Sequence, residues 1–347
     1  MLAVVACIAV ADGLLIVEEQ NAPKDMVWIE PGSFVMGSDN GFPDEAPARE
    51  VSLSGFWIDQ YEVTNRDFQQ FVEKTGYITS AERFGDSLVF QSPAETAYSG
   101  AVTNIAPMSW WRLVADANWE QPAGQQDSIA DKMDHPVVQV SYVDALNYCL
   151  SQHKQLPTEA QFEAAARGGL EGNQYSWEQQ SVQHSHEPVN SPVPVNSPEP
   201  VNSPELAKSH EQMNHWQGEF PIHDEVLDGF ASTAPVGSFP ANPYGLYDIS
   251  GNVWEWVSDW YHPQAYTMTG NHNPAGVTEG ESFDPAEPGL AKRGIRGGSF
   301  LCSDNYCRGF RVSARMPADP ESATNHTGFR CVRPFLSNSI ADLWLAP

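Results

Sequence analysis

Glycine and proline punctuate this chain throughout, 26 and 27 of them in 347 residues. Proline removes a backbone donor and fixes φ, and glycine weakens the interior of a helix. Few uninterrupted stretches of helical periodicity remain, so the chain reads as short elements joined by many turns. Apolar residues make up 41%, with Trp 11, Phe 16 and Tyr 11, which is enough for a sizeable core. The length allows one large domain or two ordinary ones. The composition favours a single turn-rich α+β domain with little regular structure.

Local signals place a few elements. Residues 26–63 read as short strands and turns, MVWIEPGSFVMG and then VSLSGFWIDQYEV. Thr64 is placed to cap a helix carrying Phe68, Phe71 and Val72 that stops at Gly76. Ser141 caps a second, with Asp144 three residues on and Leu146, Cys149 and Leu150 as its apolar residues. The strongest follows Pro157: Thr158 and Gln161 form a capping box, Phe162 and Ala165 face inward, and Gly168 ends it. Between 181 and 205, PVNSPV, PVNSPE and PVNSPE repeat every six residues. Such a tract cannot bury a core and is expected to be an extended, mobile insert. It interrupts one domain, because aromatic sequence resumes at once in NHWQGEF.

The formal charge of -27 disfavours a nucleic-acid binder, which needs clustered cations, and an anionic membrane surface. The acidity serves solubility or calcium binding. The start, MLAVVACIAVADG, resembles a short secretory leader over residues 1–20, with Ala9-Val10-Ala11 as cleavage site and no basic residue before it. Val4-Val5-Ala6-Cys7 also resembles a lipobox preceded by too few residues. No later segment has the roughly 20 apolar residues of a membrane span, and residues 336–347 form a tail. Leaving Cys7 aside, Cys149, Cys302, Cys307 and Cys331 allow three pairings.

Two regions carry chemistry. Cys302 and Cys307 enclose four residues in a polar, turn-forming segment, RGGSFLCSDNYCRGF. Such a pair closes a small disulfide loop, holds a soft metal ion or shuttles electrons; two buried small hydrophobes are the alternative. Asp248-Ile249-Ser250-Gly251-Asn252-Val253-Trp254-Glu255 sets two carboxylates around a glycine turn, and Asn214 with Asp228 could make another such loop. These acids either bind a hard cation together with backbone carbonyls or cap turns. The ten histidines show no HExxH spacing, the one His-x-His, His184 and His186, lies in the insert, and no phosphate loop or GxSxG elbow is present.

Taken together, MVWIEPGSFVMGS, GFWIDQYEVTNRDF, AERFGDSLVF, DHPVVQVSYVDALNYC, LPTEAQFEAAARGGL, NHWQGEFP, YGLYDISGNVWEWVSDWY and RGGSFLCSDNYC…GFRCVR resemble the formylglycine-generating enzyme, or sulfatase-modifying factor, family. The resemblance spans residues 26–335 apart from the insert. AERFGDSLVF, NHWQGEFP and the Cys-x4-Cys pair point to the enzyme itself rather than to the wider superfamily. It implies a variant of the C-type-lectin-like fold. It also implies an oxidase that uses O₂ to convert the cysteine of a Cys-x-Pro-x-Arg motif in unfolded sulfatases to Cα-formylglycine.

Residue by residue, the resemblance makes Cys302 and Cys307 the Cu(I) ligands, suited to a soft ion. Ser299, Tyr306 and Trp254 match further active-site positions, and Asn325 a substrate-binding one. Asn214, His215 (carbonyl), Asp228 and Phe230 (carbonyl) match one structural calcium site. Asp248, Gly251 (carbonyl), Val253 (carbonyl) and Glu255 match a second. Cys149 and Cys331 match a structural disulfide, whereas Ala166 and Val312 replace the cysteines of another. Ser303 and Asp304 stand where many members carry His-Arg, and Gly309 in a Tyr-like position, which puts peptide preference in question. A monomeric, extracytoplasmic enzyme acting on sulfatase polypeptides is expected. A non-catalytic module of the same scaffold is the alternative, although the inactive paralogues lack the cysteine pair. A sulfoxide synthase of the ergothioneine pathway would need a His-x3-His-x-Glu motif that is absent.

Overall fold

The computed structural model describes residues 22–93, 108–177 and 209–334. The leader, the insert at 181–205 and the tail lie outside the described residues. The expected strands appear as β1 (Met26–Ile29), β2 (Gly32–Met36), β3 (Arg49–Leu53) and β4 (Phe56–Asp59). β1 and the last strand, β13 (Val332–Pro334), flank β4 in one antiparallel sheet. The two ends of the domain therefore close on each other. A second sheet has the order β11 (Arg315–Ala318), β10 (Arg293–Arg296), β9 (Trp254–Trp260) and β12 (Thr327–Gly328). Three two-stranded ribbons complete the strands: β2–β3, β5 (Asp86–Phe90) with β6 (Trp111–Ala115), and β7 (Gly218–Glu219) with β8 (His223–Asp224).

The helices begin and end where their caps predict. Thr64, Ser141 and Thr158 each accept a hydrogen bond from the backbone N–H three residues on, opening α1 (Asn65–Thr75), α3 (Tyr142–Ser151) and α4 (Glu159–Arg167). A short α2 (Ser80–Phe84) is capped in the same way by Thr79, and α5 is Ala265–Met268. Gly76 and Gly168 stop α1 and α4 in the left-handed region, at φ 67 and φ 59, a conformation costly for other residues. Leu150, on the apolar list for α3, points outward and is half exposed, while Cys149 is fully buried.

Two cores meet at the second sheet. One gathers Phe68, Phe71, Trp119, Tyr148, Trp256 and Phe329. The other packs Phe56, Ile58, Phe162, Leu246 and Val257, and it contains both Ala166 and Val312. Buried ion pairs tie α4 to the C-terminal strands, Glu159 to Arg315 at 2.6 Å and Glu163 to Arg296, and Glu163 also pairs with Arg167 of its own helix at 2.6 Å. Glu45 is likewise locked by Arg311 and by Ser313 Oγ at 2.7 Å. Breaking such a pair from one side strands a charge in low dielectric, so these contacts hold the turn-rich chain in a single arrangement. Cys149 and Cys331 form the disulfide that the resemblance implies, with Cα atoms 5.7 Å apart and a sequence separation of 182.

Candidate active site

Strand β10 delivers Arg296 to the core, and Gly297-Gly298 then turn the chain into the cysteine segment. Ser299 is fully buried, and its carbonyl accepts the N–H of Cys302 at 2.9 Å. The carbonyl of Cys302 accepts the N–H of Trp216 at 3.0 Å, which binds the segment to the NHWQGEF block. Cys302 is wholly buried and Cys307 half buried. Their sulfurs are joined in a disulfide with Cα atoms 5.2 Å apart. The structure thus holds the pair in its oxidised form, the first of the three roles open to it from sequence.

Trp254, first residue of β9, lies under this ring. A Cβ at Gly309 would come within 2.3 Å of the indole and 3.0 Å of Cys302 Sγ. The absence of a side chain at 309 therefore lets tryptophan, backbone and sulfur stack directly. Tyr306 is 44% exposed and stacks on Phe220, with ring centroids 4.1 Å apart. Trp110 meets it edge-on at 5.7 Å, and Phe90 and Trp216 pack around Phe220. The result is an aromatic floor running up to the cysteine ring. Burial raises the Tyr306 hydroxyl pKa above its ordinary value, so it is a proton donor at neutral pH. Asn325 sits at the floor's edge, where its Oδ1 accepts the N–H of Phe90 at 3.0 Å. It anchors the end of β5 there. Asp304 lies inside the ring, half buried, with Oδ1 lacking any hydrogen-bond partner. Burial pushes its pKa up to about 6.

The two candidate calcium sets adjoin each other. In the first, Asn214 is buried and its Oδ1 has no partner, while its Nδ2 donates to Ser232 O at 2.8 Å. Asp228 accepts the N–H groups of His215 and Phe230, both at 2.9 Å, so carboxylate and carbonyl donors share one turn. The His215 carbonyl accepts from Gln217 Nε2. Burial lowers the His215 imidazole to about 4, leaving it neutral.

In the second set, Asp248 Oδ2 accepts the N–H of Gly237 at 2.6 Å and Oδ1 is unpartnered. Burial raises Asp248 to about 6. Both oxygens of Glu255 are held by the Arg330 guanidinium, the closest contacts at 2.8 Å. Glu62, which the sequence reading missed, joins this group. It is buried, with Oε1 unpartnered and Oε2 accepting from Asn252 Nδ2 at 2.8 Å. Burial first, then the charges of Asp248 and Glu255, raise its pKa well above the carboxylate range. Three carboxylates thus face one guanidinium. Unpartnered oxygens and surplus negative charge fit a bound divalent cation. Among the described residues, no cluster of three or more His, Cys, Asp or Glu side chains forms a metal site unaided. Backbone carbonyls would have to supply ligands.

The site is thus a cysteine pair beside a buried tryptophan and an aromatic floor, carried by a turn-rich α+β domain. The family profile described as sulfatase-modifying factor enzyme 1-like domain matches residues 13–335, and the chain belongs to that family. A formylglycine-generating enzyme from Thermomonospora curvata is 42% identical over 320 residues, covering 90% of this chain and 94% of that one. One from Mus musculus is 39% identical over 315 residues, covering 90% and 75%. The inactive C-alpha-formylglycine-generating enzyme 2 of Mus musculus is 37% identical over 309 residues, covering 88% and 84%. Among solved structures, PvdO from Pseudomonas aeruginosa superposes with a TM-score of 0.59 at 24% identity, over 90% of this chain and 96% of that one. That likeness concerns the fold alone.

Proposed function

We propose that this protein is a copper-dependent oxidase that uses O₂ to convert the cysteine of a Cys-x-Pro-x-Arg motif in unfolded sulfatases to Cα-formylglycine. The observation that carries the reading is the Cys302–Cys307 pair, poised over Trp254 at the end of the aromatic floor. Reduction of the disulfide by two electrons and two protons yields two thiols, one buried and one half buried. That soft donor set fits Cu(I), which when bound supplies affinity for the substrate thiol and the activation of O₂.

The rest follows from the chain's own groups. The aromatic floor receives an extended peptide and excludes water from its cysteine. Tyr306, next to Cys307, and the buried Ser299, whose carbonyl accepts the Cys302 N–H, would supply hydroxyl groups where oxygen is reduced. The substrate Cβ–S unit loses two electrons and two protons to become a thioaldehyde. Water then replaces sulfur, releasing hydrogen sulfide and leaving the aldehyde. Full reduction of O₂ to water takes four electrons, so two external thiols, joined in a disulfide, provide the other two electrons and two protons. Calcium, at the two sets above, orders loops that have little regular structure to hold them. The long-range Cys149–Cys331 bridge favours an oxidising, extracytoplasmic compartment. No helix among the described residues is long and apolar enough to cross a membrane.

The test is mass spectrometry of a Cys-x-Pro-x-Arg peptide incubated with reduced, copper-loaded protein. The expected result is thiol-to-aldehyde conversion, abolished in Cys302→Ser and in Cys307→Ser while both variants keep their circular-dichroism spectrum. Turnover retained in Cys307→Ser would refute the assignment of the pair.

A further inference from the structure

Asp304 is built into the cysteine ring with no hydrogen-bond partner at Oδ1 among the described residues. It lies two residues after Cys302 and three before Cys307. Its Oδ1 is shut off from solvent and accepts no hydrogen bond. The hydroxyl beside it, Ser303 Oγ, donates instead to Asn305 Oδ1 at 2.7 Å. Neither neighbouring cation reaches it at hydrogen-bond distance among the described residues. Arg308 is turned toward the Phe42 ring, 5.8 Å from its centroid, and its charge acts on Asp304 only from a distance. Arg311 is locked to Glu45, with Nη1 to Oε2 at 2.8 Å. A carboxylate oxygen removed from water with nothing to bind is unfavourable. At a substrate site, the missing partner is a group that arrives with the substrate.

The surroundings say what that group is. Asn305 and Tyr306, next in the ring, are exposed. The Tyr306 face continues the floor made with Phe220 and Trp110. A peptide whose cysteine reaches the Cys302–Cys307 pair must pass this corner. A lysine or arginine beside that cysteine lays its aliphatic stem across the ring face and brings its charge to the carboxylate. We propose that Asp304 is a specificity-determining residue that selects sulfatase segments carrying a basic side chain immediately next to the reacting cysteine. This rests on the proposed oxidation of a peptidyl cysteine and adds to it a charge preference that the bare motif does not contain.

The experiment compares three peptides that keep the motif and differ only in Lys, Gln or Glu at the position adjoining the cysteine. Their kcat/KM values are measured in competition by mass spectrometry. An attractive pair worth roughly what a surface ion pair is worth, set against a repulsive one of similar size, gives a Lys-over-Glu preference of about tenfold in the wild type. Asp304→Asn should bring the ratio close to one. Asp304→Glu should keep the preference, and Asp304→Lys should invert it.

Equal rates for Lys and Glu peptides in the wild type would overturn the inference. So would a preference that persists in Asp304→Asn, since it would then stem from the overall negative charge. The same peptides with serine for cysteine, titrated by fluorescence anisotropy onto reduced, metal-free protein, should bind in the same order. If no peptide is oxidised, the proposed activity fails, and that binding order still decides the role of Asp304.

Discussion

Removing the Cys149–Cys331 bridge by the double substitution Cys149→Ala/Cys331→Ala should destabilise the domain through its unfolded state. The bridge spans 182 residues, joining α3 to the segment leading into β13. Closing a loop of that length removes about 5 kcal/mol of chain entropy from the unfolded ensemble. The native contacts around the bridge do not depend on it. Cys331 N–H donates to Asp59 Oδ2 at 3.0 Å, Val332 N–H donates to Gln155 O at 2.7 Å, and Lys154 pairs with Asp59 at 2.5 Å. The variant should therefore keep its fold. Loss of two buried sulfur atoms adds roughly 1 kcal/mol. With an unfolding entropy of about 2.1 cal/mol/K per residue, a folded domain of about 270 residues loses about 11 °C in Tm.

Thermal unfolding by calorimetry, under non-reducing conditions, measures this directly. A wild type treated with a phosphine reductant serves as the parallel case and should fall by at least as much, because its smaller ring opens too. A variant melting within about 2 °C of the wild type would refute the reasoning, since a loop of this length cannot be closed at so small an entropic effect.

On the proposed calcium reading, in which a cation satisfies Asn214 Oδ1 and Asp248 Oδ1, prolonged incubation with excess chelator should lower Tm; an unchanged melting curve counts against both calcium sets. Arg330→Met should destabilise by about 3–5 kcal/mol, leaving Glu62, Asp248 and Glu255 without their guanidinium, and adding Glu62→Gln should recover part of the loss; equilibrium urea unfolding reads both. Asp259 is pushed up to about 7 by burial first and then by the Glu159 charge. The folded state therefore binds this proton more tightly than the unfolded state does. The penalty for ionising it is absent at low pH, grows through the range from its ordinary value toward 7, and is complete above that. Asp259→Asn should consequently gain Tm relative to wild type as pH rises from 5 to 8, and a difference independent of pH would contradict that account.

Helix ends were legible because capping is local. Thr64, Ser141 and Thr158 each satisfy an N–H three residues away, and Gly76 and Gly168 need only their own φ. The cysteine pair and the acidic turn at 248–255 stood out because chemistry-bearing side chains were close in sequence. Their surroundings were not legible. Glu62 reads as one acid among apolar neighbours in YEVTN, yet it completes a carboxylate group with Asp248 and Glu255 around Arg330. The aromatic floor draws Phe90, Trp110, Trp216, Phe220 and Tyr306 from separate loops. Gly309 looked like a departure until Trp254 and Cys302 Sγ were found within reach of its missing Cβ. By itself, then, the amino-acid sequence determined the caps, the turn-rich character and the residues able to do chemistry, all of which act within a few bonds of their own backbone. Only the tertiary structure decided which distant side chains share a low-dielectric space, because desolvation and charge coupling depend on proximity through space and not along the chain.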